Sequence, residues 1–258
     1  MNRSEVLRVA FATIVRKEVN RFVRIWAQTI LPPAVSMALY FVIFGHLIGR
    51  RVGLMDGFSY MDFIAPGLIM MSVMNNAYAN VVSSFFGAKF QHHIEEMLVA
   101  PIPNWVILAG YVTGGVLRGL AVGVVVTGVA MFFTHLRISS ILAIIAILLL
   151  TTVLFSLGGL VNAIYAKKFD DISIIPTFVL TPLIYLGGVF YSIDLLPPFW
   201  KAVCYVNPIV YMVDAFRYGL LGMSHTHLGA AFAIITLFVI ALGGYALSLL
   251  ERGVGIKS

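Results

Sequence analysis

The residues of this chain whose types and spacing could do chemistry fall into three groups. His92, His93, Glu95 and Glu96 stand together just before Met97 and Leu98. Clustered imidazoles and carboxylates can hold a metal, but the H-E-x-x-H pattern that puts two histidines on one helical face is missing, and no metal site is expected. The spacing instead predicts a short helix that turns its charges outward over Ile94, Met97 and Leu98, a surface on which something can dock. The second group is one residue, Arg118, set in an apolar, glycine-rich run roughly 14 residues from its start, which is ~20 Å deep at the helical rise per residue. A charge at that depth is costly and faces a cavity or a partner, whereas Asp62, Asp170 and Glu251 sit at the ends of apolar runs. Two roles stay open for Arg118: bonding helix carbonyls, or attracting an anionic headgroup along a transport path. The third group is Ser72, Asn76, Asn80 and Ser84, which recur every four residues as a polar stripe on one helical face. Such a stripe joins helices together or lines a path.

Other chemistries are excluded by pattern. No G-x-x-x-x-G-K-[ST] loop occurs, and the tail Gly253–Ser258 ends in Lys–Ser without one, so any ATP must be hydrolysed by another chain. There is no nucleophile elbow and no intramembrane carboxylate pair, and an enzyme is not expected. Cys204 is the single cysteine, which rules out an internal disulfide or a cysteine-built metal cluster.

The elements that must position these residues are apolar helices. Of 258 residues, 60% are hydrophobic and 11% charged, and the mean hydropathy is +0.98; too little polar surface exists to cover a water-soluble domain. The net charge of +6 lies mostly beside apolar stretches, which reads as membrane orientation and not as a nucleic-acid face. From Ser4, a plausible N-cap, to Trp26 the residues Leu7, Phe11, Ile14, Val15, Val19, Phe22 and Ile25 recur at helical spacing, with Arg16, Lys17 and Arg24 pointing elsewhere. This predicts an amphipathic helix lying on a lipid surface. Glu18 falls on its apolar side and is expected to form a surface pair with Arg21. No cleavable signal peptide is expected, because the first strongly apolar run begins only near Trp26 and meets Pro32–Pro33 early.

Six spans of about 20 apolar residues are expected: Ala27–Ile48, Met61–Ser84, Trp105–Phe133, Ser140–Tyr165, Ile172–Phe190 and Leu228–Leu250. Arg3, Arg8, Arg16, Lys17, Arg21, Arg24, Lys89, Lys167, Lys168, Arg252 and Lys257 would then share one side, against Arg50, Arg51, Arg137, Lys201 and Arg217 on the other. The richer side is cytoplasmic and holds both termini. Between Tyr191 and Met223 the chain stays apolar, but Pro197–Pro198 and Pro208 cut it into pieces too short to cross. A re-entrant pair of short helices, packed on the outer face of the bundle, fits. The third span carries Gly110, Gly114, Gly115, Gly119 and Gly123, small residues that admit a closely packed helix. No linker or internal repeat appears, so residues 1–258 read as one domain: 1–26, 27–190 holding spans one to five, 191–227 and 228–250. The missing repeat and intramembrane carboxylate weigh against an ion-coupled secondary transporter; a membrane scaffold without transport activity is the other alternative.

Several short runs resemble those of the ABC-2 type transporter permeases. They are Asn-Ala-Tyr-Ala-Asn at 76–80, Ser-Phe-Phe-Gly-Ala-Lys at 84–89 and the following Ile-Glu-Glu-Met, then Pro182, Tyr185-Leu186-Gly187-Gly188 and Phe190-Tyr191-Ser192. Leu196-Pro197-Pro198, Asn207-Pro208 and Arg217-Tyr218-Gly219 complete the set. Each is loose, but their order spans essentially the whole chain. The resemblance implies a connecting helix containing Arg16, Lys17, Glu18 and Arg21, and a coupling helix of His93, Ile94, Glu95, Glu96, Met97 and Leu98 through Val99. It also implies a re-entrant motif marked by Pro197, Pro198, Asn207, Pro208 and Arg217, with Asn76, Asn80 and Arg118 as the candidate path. The implied assembly is two such chains with two separate ATPase subunits, which carry the ATP and Mg, in a bacterial inner membrane. Permeases of this family export lipid-linked polysaccharides, lipo-oligosaccharides, drugs and other amphiphiles, and no residue here selects among them.

Overall fold

The computed structural model describes residues 2–255, apart from the side chains of His46, Leu47 and Arg50. Lys257 and the Arg50 side chain, both counted above for orientation, lie outside the described residues. The described residues are all-α save for one small antiparallel hairpin. In order come α1 (Arg3–Arg24), α2 (Trp26–Thr29), α3 (Leu31–Tyr40) running into a π-helical segment (Phe41–Ile48), and α4 (Gly49–Val52). The hairpin β1 (Leu54–Met55) and β2 (Phe58–Ser59) leads to α5 (Tyr60–Phe90), α6 (His93–Val99), α7 (Asn104–Met131) and α8 (Ile141–Tyr165). The remainder is α9 (Asp171–Ile175), a π-helical segment (Pro176–Leu180), α10 (Thr181–Tyr185), a 3-10 turn (Ile193–Leu195), α11 (Pro198–Val206), α12 (Pro208–Leu221) and α13 (Leu228–Arg252).

The core is built around α5, whose 31 residues run about 46 Å at the helical rise per residue from the β-hairpin to α6. Phe63, Ile64, Leu68, Met70, Val73, Met74, Ala77 and Val81 along it have no exposure to solvent, enclosed chiefly by α7, α8 and α12. Among the described residues four helices are long and apolar enough to cross a membrane: Trp26–Gly45, Asn104–Met131, Ile141–Tyr165 and Leu228–Arg252. The central helix has the length but carries Ser72, Asn75, Asn76, Asn80, Ser83 and Ser84, a composition that protein neighbours can satisfy and lipid cannot. The stretch expected to span from Ile172 to Phe190 is a shorter apolar helix, Asp171–Tyr185. Pro176 and Pro182 each remove a backbone donor, and the helix relaxes into a π-helical segment between them. It ends before Gly188, which takes a left-handed φ of 69°.

Helix α1 begins two residues earlier than expected. Its N-cap is Asn2, not Ser4, because the Glu5 carboxylate reaches back to accept the Asn2 backbone N–H at 2.9 Å. Its buried stripe is Ile14, Glu18 and Phe22, covered by α7 at the glycines. A Cβ on Gly110 would meet Ile14 Cγ2 at 2.6 Å, and one on Gly114 would meet Glu18 Cβ at 2.5 Å. The same row of glycines therefore serves helices of this chain on two sides, since Gly115 abuts Ser156, Val81 and Ala77, and Gly119 abuts Thr152 and Ala77. Elsewhere Lys89 closes the end of α8 by donating to the carbonyls of Ile164 at 2.6 Å and Ala166 at 2.7 Å. In the turn between α8 and α9 the Lys167 and Lys168 backbone N–H groups hold the exposed Asp171 carboxyl below its ordinary range.

The close crossing of α5, α7 and α8 sets a sharp steric test. A Cβ at Gly115 would stand 2.3 Å from Ser156 Oγ and 2.6 Å from Val81 Cγ2, whereas one at Gly128 meets nothing within 4 Å. Gly115→Val is expected to cost about 1–3 kcal/mol or more through overpacking, lowering the thermal unfolding midpoint in detergent. Gly128→Ala should leave it unchanged.

Candidate functional site

The groups singled out from the sequence fall into two polar sets on successive turns of α5, the larger of which reaches α6. His92 separates α5 from α6 by taking a left-handed φ of 60°, and its Nδ1 contacts Glu95 Oε1 at 2.8 Å. On α6 itself Ile94 is buried, Met97 and Leu98 are half-buried, and His93, Glu95 and Glu96 are exposed. The helix thus offers two carboxylates and an imidazole outward from an apolar seat. Met97 accepts a long contact from the Tyr111 hydroxyl, 3.9 Å from its sulfur, and Tyr111 is fully buried on α7 with its ring against Phe85.

From Tyr111 the larger set passes to α1. Lys17 Nζ donates to the Tyr111 hydroxyl at 3.0 Å and lies 3.6 Å from Glu18 Oε1. Glu18 is completely buried, which corrects the expected surface pair: Arg21 is indeed its neighbour, at 3.6 Å, but the carboxylate lies inside the helix contact. It survives there because its oxygens are met. Ser84 Oγ donates to Oε1 at 2.5 Å and Asn80 Nδ2 to Oε2 at 3.4 Å. Arg21 in turn donates to the Asn80 backbone carbonyl and to Asn80 Oδ1, both at 2.8 Å, and to Ser83 Oγ at 3.2 Å. A buried charge without such partners costs several kcal/mol.

One turn further along α5, Asn76 donates to the Ser72 carbonyl at 3.0 Å and accepts from Arg118 Nη2 at 3.2 Å. Among the described residues no carboxylate pairs with Arg118, whose strongest electrostatic neighbour is the like charge of Arg21. Its Nε is buried without a hydrogen-bond partner. Asn76 and Asn80 are buried between helices, and Arg118 alone of the three keeps partial exposure. The structure thus joins Lys17, Glu18, Arg21 and Asn80 into one network that reaches α6 through Tyr111, and pairs Asn76 with Arg118 in a separate contact one turn along α5, while Arg16 is exposed and stands apart.

The other expected motif residues lie at the opposite end of α5. Pro197 and Pro198 start α11. Asn207 caps α12 by accepting the Ile209 N–H at 3.0 Å, and donates to the Leu183 carbonyl at 2.6 Å, with Pro208 opening the helix. Arg217 is buried, donates to the Gly188 carbonyl at 2.8 Å, and sits 4.0 Å from the centre of the Phe63 ring. Sequence reasoning passed over Asp214 and Tyr111. Asp214 is buried and accepts from the Ser224 hydroxyl, the His225 and Thr226 backbone N–H groups and the Thr226 hydroxyl, at 2.7 to 3.0 Å. An acid three residues before Arg217 in an apolar run was its available signal; Tyr111 had none.

Among the described residues no group of three or more His, Cys, Asp or Glu side chains is placed to hold a metal ion. The network ties α1, α5, α6 and α7 to one another, and among the described residues no anion lies against the Arg118 guanidinium. Comparison with known proteins agrees in class. The sequence profile of the ABC-2 type transporter family matches residues 9–221. The chain is 58% identical over 250 residues to the inner membrane transport permease YadH of Escherichia coli (strain K12), covering 97% of this chain and 98% of that protein. It is also 24% identical over 225 residues to nodulation protein J of Rhizobium leguminosarum bv. viciae, covering 87% of each.

The buried carboxylate invites a direct test. Glu18→Ala removes the charge shared by Lys17 and Arg21 and is expected to cost about 3 kcal/mol, as for a broken buried pair. Tryptic cleavage after Lys17 and Arg21 should accelerate as α1 detaches. Val9→Ala, at a position 56% exposed, should leave the cleavage rate unchanged.

Proposed function

Because the chain belongs to the ABC-2 type transporter family, we propose that it is the permease subunit of an ATP-driven exporter that moves an amphiphilic or lipid-linked substrate out of the cytoplasm or the inner leaflet. The observation that carries this is the polar network from α6 through Tyr111, Lys17 and Glu18 to Asn80 of α5, one helical turn from the contact that Asn76 makes with the deep charge of Arg118. The name of the Escherichia coli relative supports the inner membrane as its location. In this proposal the protein crosses six times as one domain with both termini cytoplasmic. The polar α5 crosses inside the bundle, α9 and α10 form the fifth crossing, and α11 with α12 form a re-entrant pair on the outer face. Two copies pair with two ATPase subunits, which bind the ATP and Mg; this chain hydrolyses nothing.

His93, Ile94, Glu95, Glu96, Met97 and Leu98 then seat in the ATPase, and the connecting helix beside them carries Arg16, Lys17, Glu18 and Arg21. Closure of the two ATPases pushes on α6 and α1 together, since Tyr111 and Glu18 bind both to α5 and α7. The site beside Arg118 changes its exposure as those helices shift. Asn76 orients the guanidinium, and the substrate drives the cycle forward only by its difference in affinity between the two conformations.

Two results would test this. Glu95→Lys combined with Glu96→Lys should lose the copurifying ATPase in mild detergent; an unchanged equal yield of an ATPase of ordinary size would place the docking surface elsewhere. Arg118→Leu should abolish ATP-driven transport by the reconstituted complex while its elution profile stays that of the folded protein. Normal transport by that variant would remove Arg118 from the path.

A further inference from the structure

At the end of α5 remote from α6, three segments far apart in the chain meet around one imidazole. His225, in the loop before α13, places Nδ1 2.8 Å from Asp194 Oδ2 in the 3-10 turn ahead of α11. Its buried Nε2 lies 3.2 Å from Asp56 Oδ2 in the turn between β1 and β2, within ion-pair distance but without hydrogen-bond geometry. The loop that presents the ring is held independently, because the His225 and Thr226 backbone N–H groups both donate to Asp214 of α12. The charged groups facing this corner from the packed elements, among the described residues, are Asp56, Asp194, Lys201 of α11, Asp214 and Arg217. Arg217 lies 3.9 Å from Asp214, and Lys201 pairs with Asp194.

A neutral imidazole has one N–H donor and one lone pair, so with a carboxylate at each nitrogen one contact opposes a lone pair to an anion. A second proton turns both contacts into ion pairs. We infer that His225 is a proton-operated latch: charged, it ties the β1–β2 turn to the 3-10 turn that leads into α11, and neutral, it releases the Asp56 side of that tie. One further observation fits. Helix α11 is otherwise loosely held, with Phe199 69% and Val206 83% exposed and Cys204 its one buried side chain. The Lys201 hydrogen bond, aided by His225, holds the Asp194 carboxyl below its ordinary range, so that acid stays anionic wherever histidine titrates. The latch is therefore complete when the ring carries both protons and opens when it loses one. The Lys201–Asp194 pair persists in both states. That this corner faces the external medium rests on the topology proposed above; the latch itself does not.

The test is hydrogen–deuterium exchange of the purified chain in lipid nanodiscs at pH 5.5 and 8.5, corrected for intrinsic exchange rates, a measurement that needs neither ATPase nor substrate. Peptides covering 193–207 should exchange about fivefold more slowly at the lower pH, the factor expected of one partly exposed ion pair. His225→Gln should remove that difference while protection along α5 is kept. Equal protection of the wild type at both pH values, or a difference that survives in His225→Gln, overturns the latch. Should His225→Gln lose protection along α5, Asp56→Asn, which leaves the ring and Asp194 in place, decides: a diminished pH dependence upholds the latch and an undiminished one overturns it.

Discussion

A carboxylate cut off from water must be met by protein or it unfolds the contact that buries it, and Glu18 shows what meeting it entails. Ser84, Asn80, Lys17 and Arg21 all turn toward it, and Gly114 gives up a side chain so that its stem can lie against α7. Helix α1 is thereby fixed to α5 and α7 by a charge whose partners stand on both α1 and α5, in one register. A purely apolar contact at the same place could slide by a turn; a carboxylate that needs Ser84 and Asn80 together cannot do so without stranding a charge.

The polar residues of α5 extend the same logic through the bundle. Asn76, Asn80 and Ser84 face other helices, and each finds a partner there: the Arg118 guanidinium for Asn76 and the Glu18 carboxylate for the other two. This is why the most central helix is also among the less hydropathic. Lipid would demand an apolar surface all round, whereas neighbours carrying donors and acceptors accept polar groups and gain a fixed orientation from them. The opposite end is organised in the same way around Asp214 and Arg217, which gather the Gly188 carbonyl and the 224–226 loop.

The two ends differ in what they can do. At the α6 end the contacts join four helices into one mechanical unit, suited to passing a push inward. At the hairpin end α11 rests on few buried contacts and on ion pairs at its rim, so it can move without disturbing the core. In the proposed exporter the fixed end receives force and the looser end yields.

From residue order alone, the composition excluded a soluble fold, hydropathy located the helices at Asn104–Met131, Ile141–Tyr165 and Leu228–Arg252 to within a few residues, and the motif order gave the family. The charged face of α6 was legible because helical periodicity needs only local spacing. Prolines at 197, 198 and 208 marked where α11 and α12 begin, since a residue without an N–H can open a helix but not continue one. What periodicity cannot carry is which face meets which neighbour. Glu18 read as a surface acid, because only the approach of α7 at Gly114 encloses it, and Asp171–Tyr185 read as a longer helix, because only the assembled chain decides where proline strain is released. His225, Asp56 and Asp194 had no shared signal at all. They lie in three separate loops, and the tertiary fold alone brings two carboxylates to one imidazole.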